Sequence, residues 1–163
     1  MEIVAGEADI DDVDRFLTAL GNIADEHDAL IQALDARYVV SEEYLMRAVE
    51  LAKRAHARGE GIATDLALEV LLYATGTRQI ERALELGVSR GSGQAIVVVI
   101  DGGDTNAARQ AVERLIEPRE RLSPPDEKLI REWFEITPTE EQATTASVAD
   151  LVLERVALLV VEK

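Results

Sequence analysis

The chain contains no cysteine, which excludes disulfide bonds, thiolate nucleophiles and zinc–thiolate sites. Only three lysines, Lys53, Lys128 and Lys163, accompany fourteen arginines among its 163 residues. No stretch approaches the roughly 18 apolar residues of a membrane helix, and the acidic N-terminus lacks the basic start of a signal peptide. We therefore expect a soluble cytoplasmic protein without a membrane partner.

Side chains that commonly carry catalysis are also scarce. The two histidines, His27 and His56, lie in unrelated segments, and no spacing selects one carboxylate pair for acid–base work. The glycine-rich turn at 90–93 precedes a strand-like segment, the wrong order for a phosphate-binding loop. We therefore predict that the chain is not an enzyme, with no catalytic residue, no cofactor and no metal site.

Acidic residues dominate the charge. Thirty-two Asp and Glu oppose seventeen Lys and Arg, for a formal net charge of −15. Such an acidic, lysine-poor composition is typical of a protein selected for solubility in concentrated salt, although an ordinary acidic protein is the alternative. The overall field repels nucleic acid, so any nucleic-acid binding is expected to be local.

The segment 47–58 is a basic exception within this acidic chain. Arg47, Lys53, Arg54 and Arg58 oppose only Glu50, so the local net charge is +3. Two interpretations stay open: a solvated helix face with cations near its C-terminus, or a basic surface that contacts a ligand.

Hydrophobic patterning predicts a central sheet with helices between its strands. Strands are predicted at 1–5, 29–34, 95–100 and 157–161. Helix signals include an apolar stripe after residue 12 and N-caps at Ser41, at Thr64 or Asp65, and at Thr77, with further helices from Asp104, Pro124 and Ser147. The predicted fold is a single α/β (α+β) domain over 1–163, with a mostly antiparallel or mixed four-stranded sheet packed with helices.

The stretch LEVLLYATGTRQIERALELG, residues 68–87, contains an abrupt helix stop. An apolar helix is interrupted at 75–77, and Arg78 and Gln79 follow at the predicted start of a helix over 78–86. Two roles for these side chains stay open. They either bond to the free carbonyl groups at the end of the preceding helix or bind a ligand.

At LALEVLLYATGTRQIERALELGV the sequence resembles the TPRKB family, the small PRPK-binding subunit of the KEOPS complex. The resemblance covers the chain in outline, including QALDA at 32–36, IATD at 62–65 and the ending ERVALLVVEK. It implies a non-catalytic subunit that binds the small atypical kinase of the complex and the single-stranded 3′ CCA end of tRNA. The complex makes the threonylcarbamoyladenosine modification of tRNA.

The resemblance also implies site residues. Carried over by motif, the RNA-binding surface is formed by Ala63, Thr64, Asp65, Leu68, Glu69, Leu72, Gly76, Arg78, Gln79 and Ile80. Arg54 and Arg58 of the basic segment are candidates to steer phosphates. The apolar stripe Val148, Leu151 and Val152 is the candidate kinase contact. The alternatives are a protein-only adaptor of the kinase and, from another class, a small enzyme acting on a nucleotide.

Overall fold

The structure is a computed structural model that describes residues 1–100 and 103–159. The elements in these residues are, in order, β1 (Glu2–Ile10), α1 (Val13–Glu26), β2 (Leu30–Asp35), α2 (Glu42–Ala57), α3 (Leu66–Thr75), α4 (Ile80–Ala83), β3 (Gly91–Ile100), α5 (Thr105–Glu113), β4 (Glu117–Pro118), α6 (Glu127–Trp133), α7 (Pro138–Gln142) and α8 (Val148–Leu158). Short 3-10 helices lie at Ala36–Tyr38 and Leu84–Leu86. These elements confirm the predicted α/β class.

The chain forms two compact units. Unit 1 combines Met1–Ala36 with Gly87–Ser123, and unit 2 combines Arg37–Leu86 with the chain from Pro124 onward. Each unit is therefore built from two separate stretches of sequence. The single domain over 1–163 stays a prediction.

Unit 1 contains the sheet, an antiparallel array in the order β2-β3-β1-β4. The long strands β1 and β3 pair along their full length, from Glu2 opposite Val99 to Ile10 opposite Gly91. Apolar side chains at every second position of these strands pack with residues of α1 and α5 into one buried cluster, which includes Val4, Ala8, Leu20, Val97, Val99, Ala108 and Val112. In β3 the residues from Val97 to Ile100 are all buried, which agrees with the continuous apolar run that predicted this strand.

Strand β4 depends on a glycine at the sheet edge. Gly6 pairs with Pro118, and a Cβ atom on Gly6 would overlap the carbonyl group of Glu117. Only glycine admits this close backbone approach. The sequence analysis missed β4, because two residues that include a proline carry no alternation signal.

Three of the four predicted strands are confirmed, and the fourth is wrong. The segments 1–5, 29–34 and 95–100 correspond to β1, β2 and β3. Of the predicted closing strand at 157–161, Ala157 and Leu158 belong to α8 and Leu159 is its C-cap, while residues 160–161 lie outside the described residues. Residues 157 and 158 are helical because the capping box at Ser147 and Asp150 starts a helix that the apolar residues after it continue.

Unit 2 is helical, with α2 packed against α3 and α8. The predicted N-cap Ser41 is confirmed, and of the alternatives Thr64 and Asp65 the cap is Asp65. Ser147, where a helix was predicted to begin, is the N-cap of α8. Each of the three side chains accepts a hydrogen bond from a first-turn amide. The predicted N-cap Thr77 is wrong. Its hydroxyl accepts from the amide of Gln79 at 3.1 Å, and α4 starts only at Ile80 and lasts four residues before a 3-10 turn.

Candidate functional site

The C-terminal end of α3 is satisfied without help from Arg78 or Gln79. The helix stops at Gly76, whose φ of 66° is the left-handed conformation that glycine adopts without strain. The last four carbonyl groups of α3 all accept hydrogen bonds from other groups: Leu72 from the amide of Thr77 at 3.3 Å, Tyr73 from the amide of Gly76 at 3.2 Å, Ala74 from the hydroxyl of Tyr44, and Thr75 from the indole of Trp133 at 2.9 Å.

Arg78 and Gln79 are therefore not caps of the preceding helix, which answers one of the two questions left open by the sequence. Both residues are exposed, and among the described residues neither side chain has a hydrogen bond or ion pair. Ile80 follows and is 42% exposed. We call these three consecutive side chains the Arg78 surface. It offers a guanidinium, an amide and an apolar group to solvent.

A buried carboxylate holds the loop that leads into α3. Glu69 is fully buried, and its two oxygens accept from the amides of Ile62 at 2.9 Å and Ala63 at 2.6 Å. Hydrogen bonds to a charged acceptor are stronger than neutral ones. Glu69 therefore lies beneath the loop that contains the predicted RNA-binding residue Ala63, and its two hydrogen bonds hold the backbone of that loop in place.

Tyr73 connects this loop to the Arg78 surface electrostatically. Its hydroxyl is buried and, within the described part of the chain, has no hydrogen-bond partner. The pKa of Tyr73 is raised from its ordinary value, first by burial and then by the charges of Glu69 and Glu60, while Arg78 lowers it. The charges of Glu69 and Glu60, near the loop, and of Arg78, in the Arg78 surface, therefore all act on the Tyr73 hydroxyl.

The other predicted RNA-binding residues occupy different depths. Thr64 and Asp65 are exposed, and Ala63 and Leu68 are half-buried. Leu72 is fully buried, so its side chain belongs to the interior of the protein. With a rise of about 1.5 Å per residue, α3 places its N-cap Asp65 about 16 Å from its C-cap Gly76 along the helix axis. The predicted set therefore lies at the two ends of α3, with Glu69 and Leu72 inside.

The basic segment is partly neutralised. Arg54 pairs with Glu50 at 2.7 Å, and Glu50 also pairs with Arg47 at 3.2 Å. Arg58 is the exposed C-cap of α2 and makes no ion pair among the described residues. Arg58 has more charge available to a phosphate than Arg54 does.

The predicted kinase stripe lies on the inner face of α8. Leu151 is 3% exposed, Val152 is fully buried, and Val148 is half-buried. These positions therefore stabilise the fold, and Leu151 and Val152 are not accessible as surface anchors. The expectation that they contact a kinase remains untested.

The outer face of α8 borders a groove with α2. Met46, 58% exposed, lines this α2–α8 groove together with Leu153 and Ala157, around a volume of about 740 Å³. Five acidic residues and one arginine surround the apolar floor: Glu42, Glu43, Glu50, Asp150, Glu154 and Arg47. Sequence analysis missed this groove although helical spacing contains it, because positions 153 and 157 lie opposite the buried stripe.

A second cavity, which we call the Trp133 pocket, lies beside the end of α3. Its volume is about 370 Å³, and it is lined by Thr75, Gly76, Thr77, Arg82, Trp133, Phe134, Glu135, Arg155 and Leu158. The guanidinium carbon of Arg82 lies 4.3 Å from the centre of the Trp133 ring. No sequence motif indicated this pocket, since it joins segments more than 50 residues apart.

Neither metal-binding nor membrane-spanning features occur in 1–100 and 103–159. No group of three or more histidine, aspartate or glutamate side chains is placed to hold a metal ion there. None of the helices in the same residues is long and apolar enough to cross a membrane.

The fold and these surfaces define a small α/β protein with an exposed apolar groove and a separate polar surface, both suited to binding. The chain belongs to the kinase-binding protein CGI-121 family, which is the TPRKB family of the sequence resemblance, because the family's sequence model matches residues 9–159. Comparison with the curated proteins gives no match. Membership in this family makes kinase binding the supported activity.

Proposed function

We propose that the protein is the non-catalytic subunit of a KEOPS complex that binds the complex's small PRPK-type kinase and the 3′ CCA end of tRNA. In this role it supports the threonylcarbamoyladenosine modification of tRNA in the cytoplasm of a halophilic archaeon. Family membership carries the kinase part of the proposal. The unpaired, exposed side chains of the Arg78 surface carry the RNA part.

The α2–α8 groove is the surface that we assign to the kinase. Exposed Met46 and the neighbouring Leu153 provide an apolar centre, and the carboxylates around it outnumber the one cation of the lining, Arg47, which pairs with Glu50. The complementary kinase surface is an apolar side chain surrounded by lysine or arginine. This assignment keeps α8 at the interface, as the sequence analysis predicted, but uses its outer face.

Co-purification with the kinase tests this assignment. Leu153→Asp places a charge in the apolar centre of the groove and should remove kinase binding. Leu17→Asp is the matched control, because Leu17 is an exposed leucine of α1 in unit 1. Circular dichroism should show that both variants fold. Normal kinase binding by a folded Leu153→Asp variant would show that the interface lies elsewhere.

The Arg78 surface suits a single-stranded RNA end. Unstacked bases are recognised by apolar contacts, by arginine planes and by amides that match base edges, and residues 78–80 supply one of each. In concentrated salt, counterion release adds little affinity, so an acidic protein must rely on such short-range contacts.

Binding of full-length tRNA and of tRNA lacking CCA, measured across a salt series, tests the RNA part. We expect the intact end to bind more tightly at every salt concentration. The net charge of −15 favours the competing function, a protein-only adaptor of the kinase. Equal binding of the two RNAs at all salt concentrations would contradict recognition of the CCA end and leave the adaptor function as the better account.

A further inference from the structure

We propose that the Trp133 pocket holds one nucleobase of a single-stranded RNA, stacked on the outer face of the Arg82 guanidinium. The inference rests on the proposed function, since the RNA is the same strand end that the Arg78 surface binds. It adds a stacking position and two residues, Arg82 and Trp133, that the family resemblance did not include. The chain has only six aromatic residues that could stack on bases, so a guanidinium plane is a useful additional stacking surface.

Arg82 is placed as a stacking surface. Its guanidinium carbon lies 4.3 Å from the centre of the indole ring, so the ring occupies one side of the guanidinium. Arg82 is an exposed residue and lines the pocket, so its guanidinium is accessible to a ligand there. Guanidinium planes and aromatic rings are the two kinds of surface on which proteins stack unpaired bases.

The indole that supports Arg82 is itself fixed. Its N–H donates to the carbonyl group of Thr75 at 2.9 Å, and the ring of Tyr38 meets it edge-on with centres 6.0 Å apart. Arg37 lies over the other aromatic ring, at 5.9 Å from the centre of Tyr38. Trp133 therefore cannot turn freely, and the stacking surface exists before any ligand arrives.

The two arginines of the pocket have different roles. Arg155 is occupied, because it pairs with both oxygens of Glu140 at 2.5 and 2.7 Å and donates to the carbonyl groups of Phe134 and Glu135. Within residues 1–100 and 103–159, Arg82 makes one long hydrogen bond, 3.4 Å, to the carbonyl group of Trp133. Arg155 builds the wall of the pocket, whereas Arg82 has donors left for a base edge or a phosphate.

The pocket also selects among bases. Glu135 lines it, is exposed, and has a φ of 54°, a conformation that residues other than glycine seldom adopt. A carboxylate accepts a hydrogen bond from the amino group of cytosine or adenine, and uracil has no such group. The volume of about 370 Å³ suits one small planar ligand. Gly76 and Thr77 line the pocket and directly precede Arg78, so one strand can reach both sites.

A short labelled RNA ending in CCA, titrated into the full chain, tests the inference. Trp133 is the only tryptophan, so its fluorescence reports occupation of the pocket. We expect the fluorescence to change on binding and Arg82→Lys to weaken binding about tenfold, because lysine keeps the charge but has no plane. Arg90→Lys, at another exposed arginine, is the matched control and should bind within twofold of the wild type.

The outcomes separate this inference from the function on which it rests. RNA binding that is unaffected by Arg82→Lys, or that leaves the fluorescence unchanged, overturns the stacking position and leaves the proposed function standing. Failure of the wild type to bind the RNA overturns both. Replacing the CCA bases by uracil should weaken binding to the wild type more than binding to a Glu135→Ala variant, which keeps only the base contacts of the Arg78 surface. Equal effects on the two proteins would remove the assigned role of Glu135.

Discussion

The carboxylate of Glu69 and the backbone amide of Ala63 are joined by a hydrogen bond of 2.6 Å beneath the loop that precedes α3. The other carboxylate oxygen accepts from Ile62, so one buried side chain satisfies two consecutive loop amides. Loops usually depend on solvent for such bonds, whereas this loop is bound to a helix in the interior. Its conformation is therefore set by Glu69.

Changing Glu69 to Gln should destabilise the protein. An amide side chain has one acceptor oxygen where the carboxylate has two, so one loop amide loses its partner, at a cost of about 1 to 3 kcal/mol. Urea unfolding measures this loss, with Glu26→Gln at an exposed position of α1 as the matched control. Equal unfolding midpoints for the two variants would contradict the structural role.

Changing Arg78 to Ala should weaken binding of a CCA-ended RNA by about 1 to 3 kcal/mol, the value of one good base contact. The loss should persist at high salt, because it removes a short-range contact. Arg58→Ala should weaken all RNAs equally and mainly at low salt, as expected of a phosphate contact. Arg54→Ala should have less effect, because Glu50 already neutralises Arg54. Binding isotherms at several salt concentrations distinguish the three variants.

Changing Trp133 to Phe should destabilise the end of α3. Phenylalanine keeps an aromatic ring but cannot donate to the carbonyl group of Thr75, a residue only 2% exposed. Leaving that carbonyl without its donor costs about 1 to 3 kcal/mol. Thermal unfolding measures the loss. A Phe134→Leu variant, which leaves this hydrogen bond intact, indicates how much of the effect comes from ring packing alone.

The ion pair of Glu140 with Arg155 should make stability depend on pH in the acid range. The hydrogen bond from Arg155 lowers the pKa of Glu140 below its ordinary value. Because the folded pKa is lowered, the stabilisation is present above the ordinary glutamate pKa of about 4.3 and is lost as the pH falls through the folded pKa. Denaturation of the wild type and Glu140→Gln at pH 7 and in acid should show a stability difference that shrinks in acid. A difference independent of pH would contradict this assignment.

Changing Leu151 to Ala should lower stability by about 2 to 5 kcal/mol, since Leu151 is a buried residue. Kinase binding by the molecules that remain folded should be unchanged, because the outer face of α8 is intact. The denaturation midpoint and the affinity for the kinase, measured below that midpoint, check the two parts separately. A reduced affinity of the folded variant for the kinase would indicate that the kinase contacts the predicted stripe that contains Leu151.

Local signals made part of this structure predictable. Ser41 and Ser147 carry short polar side chains in front of helical apolar patterns, and the structure confirms Ser41 as an N-cap and Ser147 as the place where a helix begins. The pattern at Val148, Leu151 and Val152 correctly indicated an apolar helix face. The sequence could not say whether that face is covered by the protein or by a partner, because both coverings produce the same stripe.

Contacts between distant segments were not predictable. Trp133 reaches Thr75 across 58 positions of sequence, and Tyr44 reaches Ala74 across 30. Because the sequence does not show that Trp133 and Tyr44 supply these donors, capping of α3 stayed a reasonable interpretation of Arg78 and Gln79. The Trp133 pocket was missed for the same reason, since its lining residues come together only when the chain has folded.

The hydrogen bond from the Trp133 indole to the carbonyl group of Thr75 also limits the order in which the protein can fold during its synthesis on the ribosome. Residues 37–86 leave the exit tunnel well before Trp133, so the nascent α3 emerges with the carbonyl group of Thr75 unmatched and with apolar side chains on all its faces. Completion of unit 2 must wait until α6 and α8 have been synthesised. We therefore expect a chain truncated after residue 123, which lacks these helices, to aggregate.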